Sequence, residues 1–129
     1  MREFLRTRAL SFRYAFSGWW FVLRTQRNAW IHAIVSVVVI LICLWLRLPL
    51  RDWAFIIVAM TMVWMAEFIN TALEAVVDLA SPQQHYLARV GKDVGAAAVL
   101  ISALSAVLIG LIIMGPPLWG RIQAIFFSK

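Results

Sequence analysis

WAFIIVAMTMVWMAEFINTALEAVVDL, residues 53–79, decides how the rest of the chain is read. It is apolar and long enough to cross a bilayer, for which a helix needs about 20 residues. Its second half nevertheless carries Glu67, Asn70, Glu74 and Asp78. At about 100° per residue these four fall within roughly one 80° stripe, with Thr71 beside it. Helical rise spreads the acids over about 16 Å. With Trp53 at one interface, Glu67 lies about 21 Å into a hydrocarbon core about 30 Å thick. Asp78 emerges on the far side. Carboxylates at such depth are costly without partners, so the stripe points to a functional site before an acid–base pair between neighbouring helices.

Outward from this stretch the pattern repeats. Residues 30–46, WIHAIVSVVVILICLWL, form an uncharged run with Trp at both ends and read as a first span. His32, near its start, reads as an interfacial hydrogen-bonding residue before a ligand. Residues 47–52, RLPLRD, make a tight loop in which Pro49 stops the helix. A polar connection follows the central stretch at residues 80–93, opening on the Ser81–Pro82 turn signal. The third span is expected over 94–114, where Gly95, Ala98, Ser102 and Ala106 would let a neighbouring helix approach closely. Gly115-Pro116-Pro117 is expected to end it, leaving residues 115–129 as an interfacial tail. Residues 1–28 place Leu5, Phe12, Phe16, Trp19 and Leu23 on one helical stripe, beside a row of arginines. That is the pattern of a helix lying in the membrane interface.

The sequence therefore predicts one all-α integral membrane domain over residues 1–129, with a surface helix and three spans. Hydrophobic residues at 64% and charged residues at 14% exclude an ordinary soluble globule. The formal charge of +6 sits at helix ends, and no nucleic-acid-binding signature accompanies it. Eight of the 12 Lys and Arg residues lie in the N-terminal segment and the 80–93 connection. The positive-inside rule puts both in the cytoplasm and the C-terminus outside. The acidic stripe then opens toward the cytoplasm. The lone Cys43 allows no intrachain disulfide and reads as packing. No cleavable signal precedes the spans, so the first span is expected to direct its own insertion.

Glu67, Asn70, Glu74, Asp78, His85, Lys92 and Asp93 gather at the cytoplasmic end. Carboxylates beside a lysine suit Mg²⁺ with a nucleotide, because Mg²⁺ takes one or two carboxylates plus phosphates and water. Glu67, set deeper, suits proton abstraction from an alcohol at the membrane surface. Walker A and protein-kinase signatures are absent. From the residues alone, a proton-coupled transporter or a non-enzymatic membrane protein fits equally well.

EFINTALEAVVD (67–78), then His85 and KDVGAAA (92–98), closely resemble the prokaryotic diacylglycerol kinase family, which includes the undecaprenol kinases. The likeness extends upstream through FRYAFSG (12–18) and RTQRNAWIH (24–32) and reaches about Met114. The resemblance implies a homotrimeric lipid kinase of the bacterial inner membrane, with three spans per chain and active sites shared between subunits. It implies MgATP as phosphoryl donor and diacylglycerol or undecaprenol as acceptor. The Ser81–Pro82 turn leans toward the undecaprenol branch. By position, Glu67 is expected as the general base and Glu74 as the ligand of the Mg²⁺ in MgATP. Asn70 and Asp78 are expected to support the site. Gln84, His85, Lys92 and Asp93 are expected to contact the nucleotide, with Tyr14 reaching it from the surface helix. Gln26 stands where the family often has a glutamate as second metal ligand, and its amide oxygen is a weaker donor to the ion.

Overall fold

The computed structural model describes residues 1–83 and 85–127. They form four helices in chain order: α1 (Arg2–Thr25), α2 (Arg27–Leu46), α3 (Leu50–Ala80) and α4 (Tyr86–Phe127). The last three are long and apolar enough to cross a membrane. Large apolar side chains such as Ile34, Leu44, Ile57, Leu104 and Leu108 face outward. In water such a surface would aggregate, whereas against lipid tails it costs nothing.

Short connections fold the helices back on one another. Only Gln26 separates α1 from α2, and its extended backbone (φ −101°, ψ 119°) breaks the helix. Its N–H still closes α1 on the Val22 carbonyl at 2.9 Å. Arg47 ends α2 in the left-handed conformation (φ 55°), with Leu48 N–H donating to the Cys43 carbonyl. This is the reversal that closes many helices, and the buried Leu48 supplies its customary apolar contact. Pro49 then starts α3, where a missing N–H is harmless. Cys43, Leu46, Leu48 and Ile56 form a small core at this end, covered by Ile113, Met114 and Leu118 of α4.

The helices outrun the spans expected from hydropathy. α3 begins three residues before Trp53, and α4 begins at Tyr86, so the 80–93 connection shrinks to five residues, 81–85. Hydropathy registers only apolar residues, whereas Leu87 to Asp93 have ordinary helical propensity and continue the helix. The expected stop at Gly115-Pro116-Pro117 is not found, because α4 runs through both prolines to Phe127. Proline removes single intrahelical bonds but is tolerated where packing holds the helix on both sides. Beyond the prolines Arg121 lies over the Trp45 ring at 5.8 Å, tying the extension to the end of α2. At about 1.5 Å per residue the 42-residue helix is about twice as long as the hydrocarbon core is thick. Of the small-residue face expected on α4, Gly95 is buried and Ser102 and Ala106 are half-buried, whereas Ala98 is exposed and Val99 is buried in its place.

Candidate functional site

The polar stripe of α3 turns inward, as its spacing requires. Glu67, Asn70 and Thr71 are its buried polar residues, and Glu67 is only 1% exposed. Thr71 Oγ1 donates back to the Glu67 carbonyl at 2.9 Å, which satisfies the hydroxyl within the helix. α4 packs against this face where it carries no side chain. A methyl on Gly95 would overlap the Asn70 amide oxygen and stand 3.1 Å from Leu73 Cδ2. Glycine at 95 is therefore required for the close approach.

One turn nearer the end of α3, Glu74 accepts two amide hydrogen bonds. Asn70 Nδ2 donates to Oε1 at 3.1 Å, and Gln26 Nε2 donates to Oε2 at 3.3 Å. Gln26 reaches it because the break between α1 and α2 stands level with this turn. One carboxylate flanked by two amides suits an ion that brings its own phosphate and water ligands. Among the described residues no three His, Cys, Asp or Glu side chains form a resident metal cage. An Mg²⁺ ion at Glu74 would therefore need phosphate or water oxygens for most of its ligands. As oriented, Gln26 presents its N–H groups to Glu74.

Glu67 has a different environment. Its Oε2 lies 3.8 Å from His32 Nε2 on α2, too far for a hydrogen bond. Both atoms are buried without a hydrogen-bond partner among the described residues, as is Asn70 Oδ1. Aromatic rings cluster beside His32. His32 meets Trp64 edge-on, and Trp19 of α1 packs against both Trp64 and Phe68. Trp64 Nε1 donates to Ser36 Oγ at 3.2 Å, fixing the indole.

Beyond Glu74, the end of α3 and the start of α4 enclose a cleft of about 580 Å³. Asp78, His85, Tyr86, Arg89, Lys92 and Asp93 are among its lining residues. Lys92 Nζ pairs with Asp78 Oδ1 across the two helices, and Arg89 approaches Asp93 at 3.8 Å within α4. His85 Nδ1 accepts the Leu87 N–H at 3.2 Å and so caps α4. Of the residues expected at the site, Glu67, Asn70, Glu74 and Gln26 form one connected group. Asp78, His85, Lys92 and Asp93 line the adjoining cleft. Tyr14 is exposed on α1 and is not one of the cleft-lining residues. Gln84 lies outside the described residues. Sequence reasoning missed Arg89 and Tyr86 in the cleft. Their spacing, three and six residues before Lys92 on one helix, is the signal that marks them.

The fold and the buried Glu67 define a small helical membrane protein with a carboxylate–amide site between its helices. The family model of prokaryotic diacylglycerol kinase matches residues 13–114. A diacylglycerol kinase from Synechocystis sp. is 42% identical over 110 residues, covering 84% of this chain and 63% of that protein. An undecaprenol kinase from Bacillus subtilis is 35% identical over 108 residues, covering 84% and 88%. A diacylglycerol kinase from Escherichia coli is 32% identical over 95 residues, covering 68% and 78%. The chain belongs to the prokaryotic diacylglycerol kinase family. With its three long apolar helices, it is a bacterial membrane protein.

Proposed function

We propose that the chain is an ATP-dependent lipid kinase that phosphorylates a membrane lipid alcohol, diacylglycerol or undecaprenol, at the cytoplasmic face. The observation that carries this reading is the pair of acids on α3. Glu67 is buried and faces His32, while Glu74, two turns on, is half-buried between two amides, one turn before the cleft-lining Asp78. In the proposed reaction the lipid hydroxyl gives its proton to Glu67. Its oxygen bonds to the γ-phosphorus as the bond to the β–γ bridging oxygen breaks, and ADP leaves. Glu74 holds the Mg²⁺ of MgATP, with Gln26 beside it and Asn70 fixing its carboxylate. Mg²⁺ supplies neutralisation of phosphate charge, the main requirement in phosphoryl transfer. Lys92 meets phosphate oxygens as a point charge, Asp78 and Asp93 hold the cations of the cleft, and His85 orders the start of α4. Gln84 and Tyr14 are the outer nucleotide contacts of this reading.

The cytoplasmic placement of the cleft rests on the excess of Lys and Arg in the N-terminal segment and before residue 94. α1 then lies along the cytoplasmic interface, where Arg24 and Arg8 cover the Trp20 and Phe4 rings. The hydrocarbon-embedded segments are 30–46, 53–79 and 94–114, and the C-terminal end of α4 emerges outside. The functional unit is a homotrimer with active sites shared between subunits.

The test is phosphorylation by purified protein in detergent micelles, with radiolabelled ATP and each lipid in turn, read by thin-layer chromatography. A labelled lipid phosphate whose formation depends on both Mg²⁺ and the added alcohol is expected. ATP consumption indifferent to both lipids would overturn the reading. A proton-coupled transporter sharing the fold would give that second result, and the family relationship disfavours it.

A further inference from the structure

His32 and Glu67 leave a gap of a particular kind. Their facing atoms, Nε2 and Oε2, are 3.8 Å apart, and the two side chains are 15% and 2% exposed. Neither atom has a partner among the described residues. A buried polar atom without a partner costs free energy, so two facing each other call for a third group. One oxygen about 2.8 Å from each fits between them, subtending roughly a right angle. Such an oxygen must accept from one side and donate to the other. An alcohol hydroxyl does both.

The approach to this gap is apolar. His32 lines a cleft of about 380 Å³ between α2, α3 and α4, whose other walls include Val35, Met60, Val63, Ala103 and Val107. A long hydrocarbon chain lying there brings a terminal hydroxyl to the His32 end without passing through the polar cleft near Lys92.

We propose that His32 Nε2–H and Glu67 Oε2 together form the acceptor-hydroxyl subsite, in which His32 donates to the hydroxyl oxygen while that hydroxyl donates to Glu67. His32 is thus a catalytic residue that touches the reacting oxygen. Its hydrogen bond strengthens as the proton passes to Glu67 and negative charge grows on the oxygen. The proposal rests on the reading of Glu67 as the base.

The test compares steady-state phosphorylation by wild type, His32→Phe, His32→Leu and His32→Gln, varying lipid and ATP separately, with Glu67→Gln in parallel. Phenylalanine keeps a ring against Trp64 and removes the donor, leucine gives a second apolar shape, and glutamine restores an N–H. Loss of one such hydrogen bond corresponds to about a tenfold effect. Both apolar variants are therefore expected to lower kcat/KM for the lipid about tenfold or more, with KM for ATP within twofold of wild type. His32→Gln should recover most of the loss. Unchanged lipid kinetics in the apolar variants, or a glutamine variant as impaired as leucine, would overturn the proposal. Lipid-free ATP hydrolysis gives the other arm. If only that activity falls in the apolar variants, the gap holds water, and the lipid assignment is wrong. Should Glu67→Gln turn over normally while the His32 effects hold, the base reading fails and the hydroxyl contact stands.

Discussion

Gln26 offers the sharpest test of whether Glu74 holds the Mg²⁺ of the proposed reaction. Its amide nitrogen is 3.3 Å from Glu74 Oε2, and both side chains are half-buried. Gln26→Glu exchanges that donor for a second carboxylate at nearly constant volume. Two like charges at this separation repel by about 1 kcal/mol in water and about 5 kcal/mol at an effective dielectric constant of about 20. Solvent access puts the expected penalty near the low end, about 1–2 kcal/mol in the metal-free protein. Mg²⁺ reverses the sign, because it is bound by both charges at once. The variant should therefore melt earlier than wild type in a chelator. It should need about tenfold less Mg²⁺ for half-maximal activity, since about 1.4 kcal/mol is a factor of ten. Gln26→Ala should shift the Mg²⁺ requirement upward. The assay is a Mg²⁺ titration at saturating ATP for all three proteins. Activity that falls in Gln26→Glu at every Mg²⁺ concentration would assign Gln26 as an obligatory donor to Glu74. Unaltered curves for both variants would remove Gln26 from the metal site.

Glu67→Gln should abolish phosphoryl transfer while nucleotide binding and assembly stay near wild type, because the amide keeps the shape and loses the basicity. Turnover within about tenfold of wild type would dismiss Glu67 as the base. Lys92→Ala, which frees Asp78 from its pair across the cleft, should chiefly raise KM for ATP. A change confined to lipid KM would put the nucleotide elsewhere. Gly95→Ala forces a methyl against Asn70 and Leu73. It should destabilise the protein by about 1–3 kcal/mol and disturb Glu74 through the Asn70 amide, measurable as an earlier melt together with a higher Mg²⁺ requirement. A melt like wild type would show that α4 does not pack so closely.

The central helix was legible because membrane burial imposes a simple rule on its residues. Polar groups at three-, four- and seven-residue spacings must share a face, and that face must point away from lipid. Glu67, Asn70 and Thr71 obey it. The limits of the helices were less legible, because hydropathy measures where lipid is, whereas α4 is held beyond the lipid-like sequence by contacts such as Arg121 on Trp45. His32 illustrates the other limit. As a lone histidine near the start of an apolar run it reads as interfacial, and only the packing of α2 on α3 brings it opposite Glu67. Gly95 falls between these cases. Its place in a small-residue stripe announces close packing, but not that the neighbour is the amide supporting Glu74.

Glu67 and Glu74 are chemically identical and lie about 10 Å apart along one helix. Their surroundings differ in the way the two proposed tasks require. Glu74 accepts N–H groups from Asn70 and Gln26, one at each carboxylate oxygen, and lies one turn before the cleft-lining Asp78. In the proposed reaction this is where the cation arriving with phosphates is held. Glu67 receives no such donor among the described residues, and it sits beside the orphaned nitrogen of His32, whose ring meets Trp64 edge-on. A carboxylate so placed gains most from a partner that brings a proton, which is what an alcohol hydroxyl offers. Exchanging the two environments would abolish both roles without changing either residue. The proposed division of labour therefore resides in where α1, α2 and α4 meet α3, and the His32 and Gln26 variants test its two halves separately.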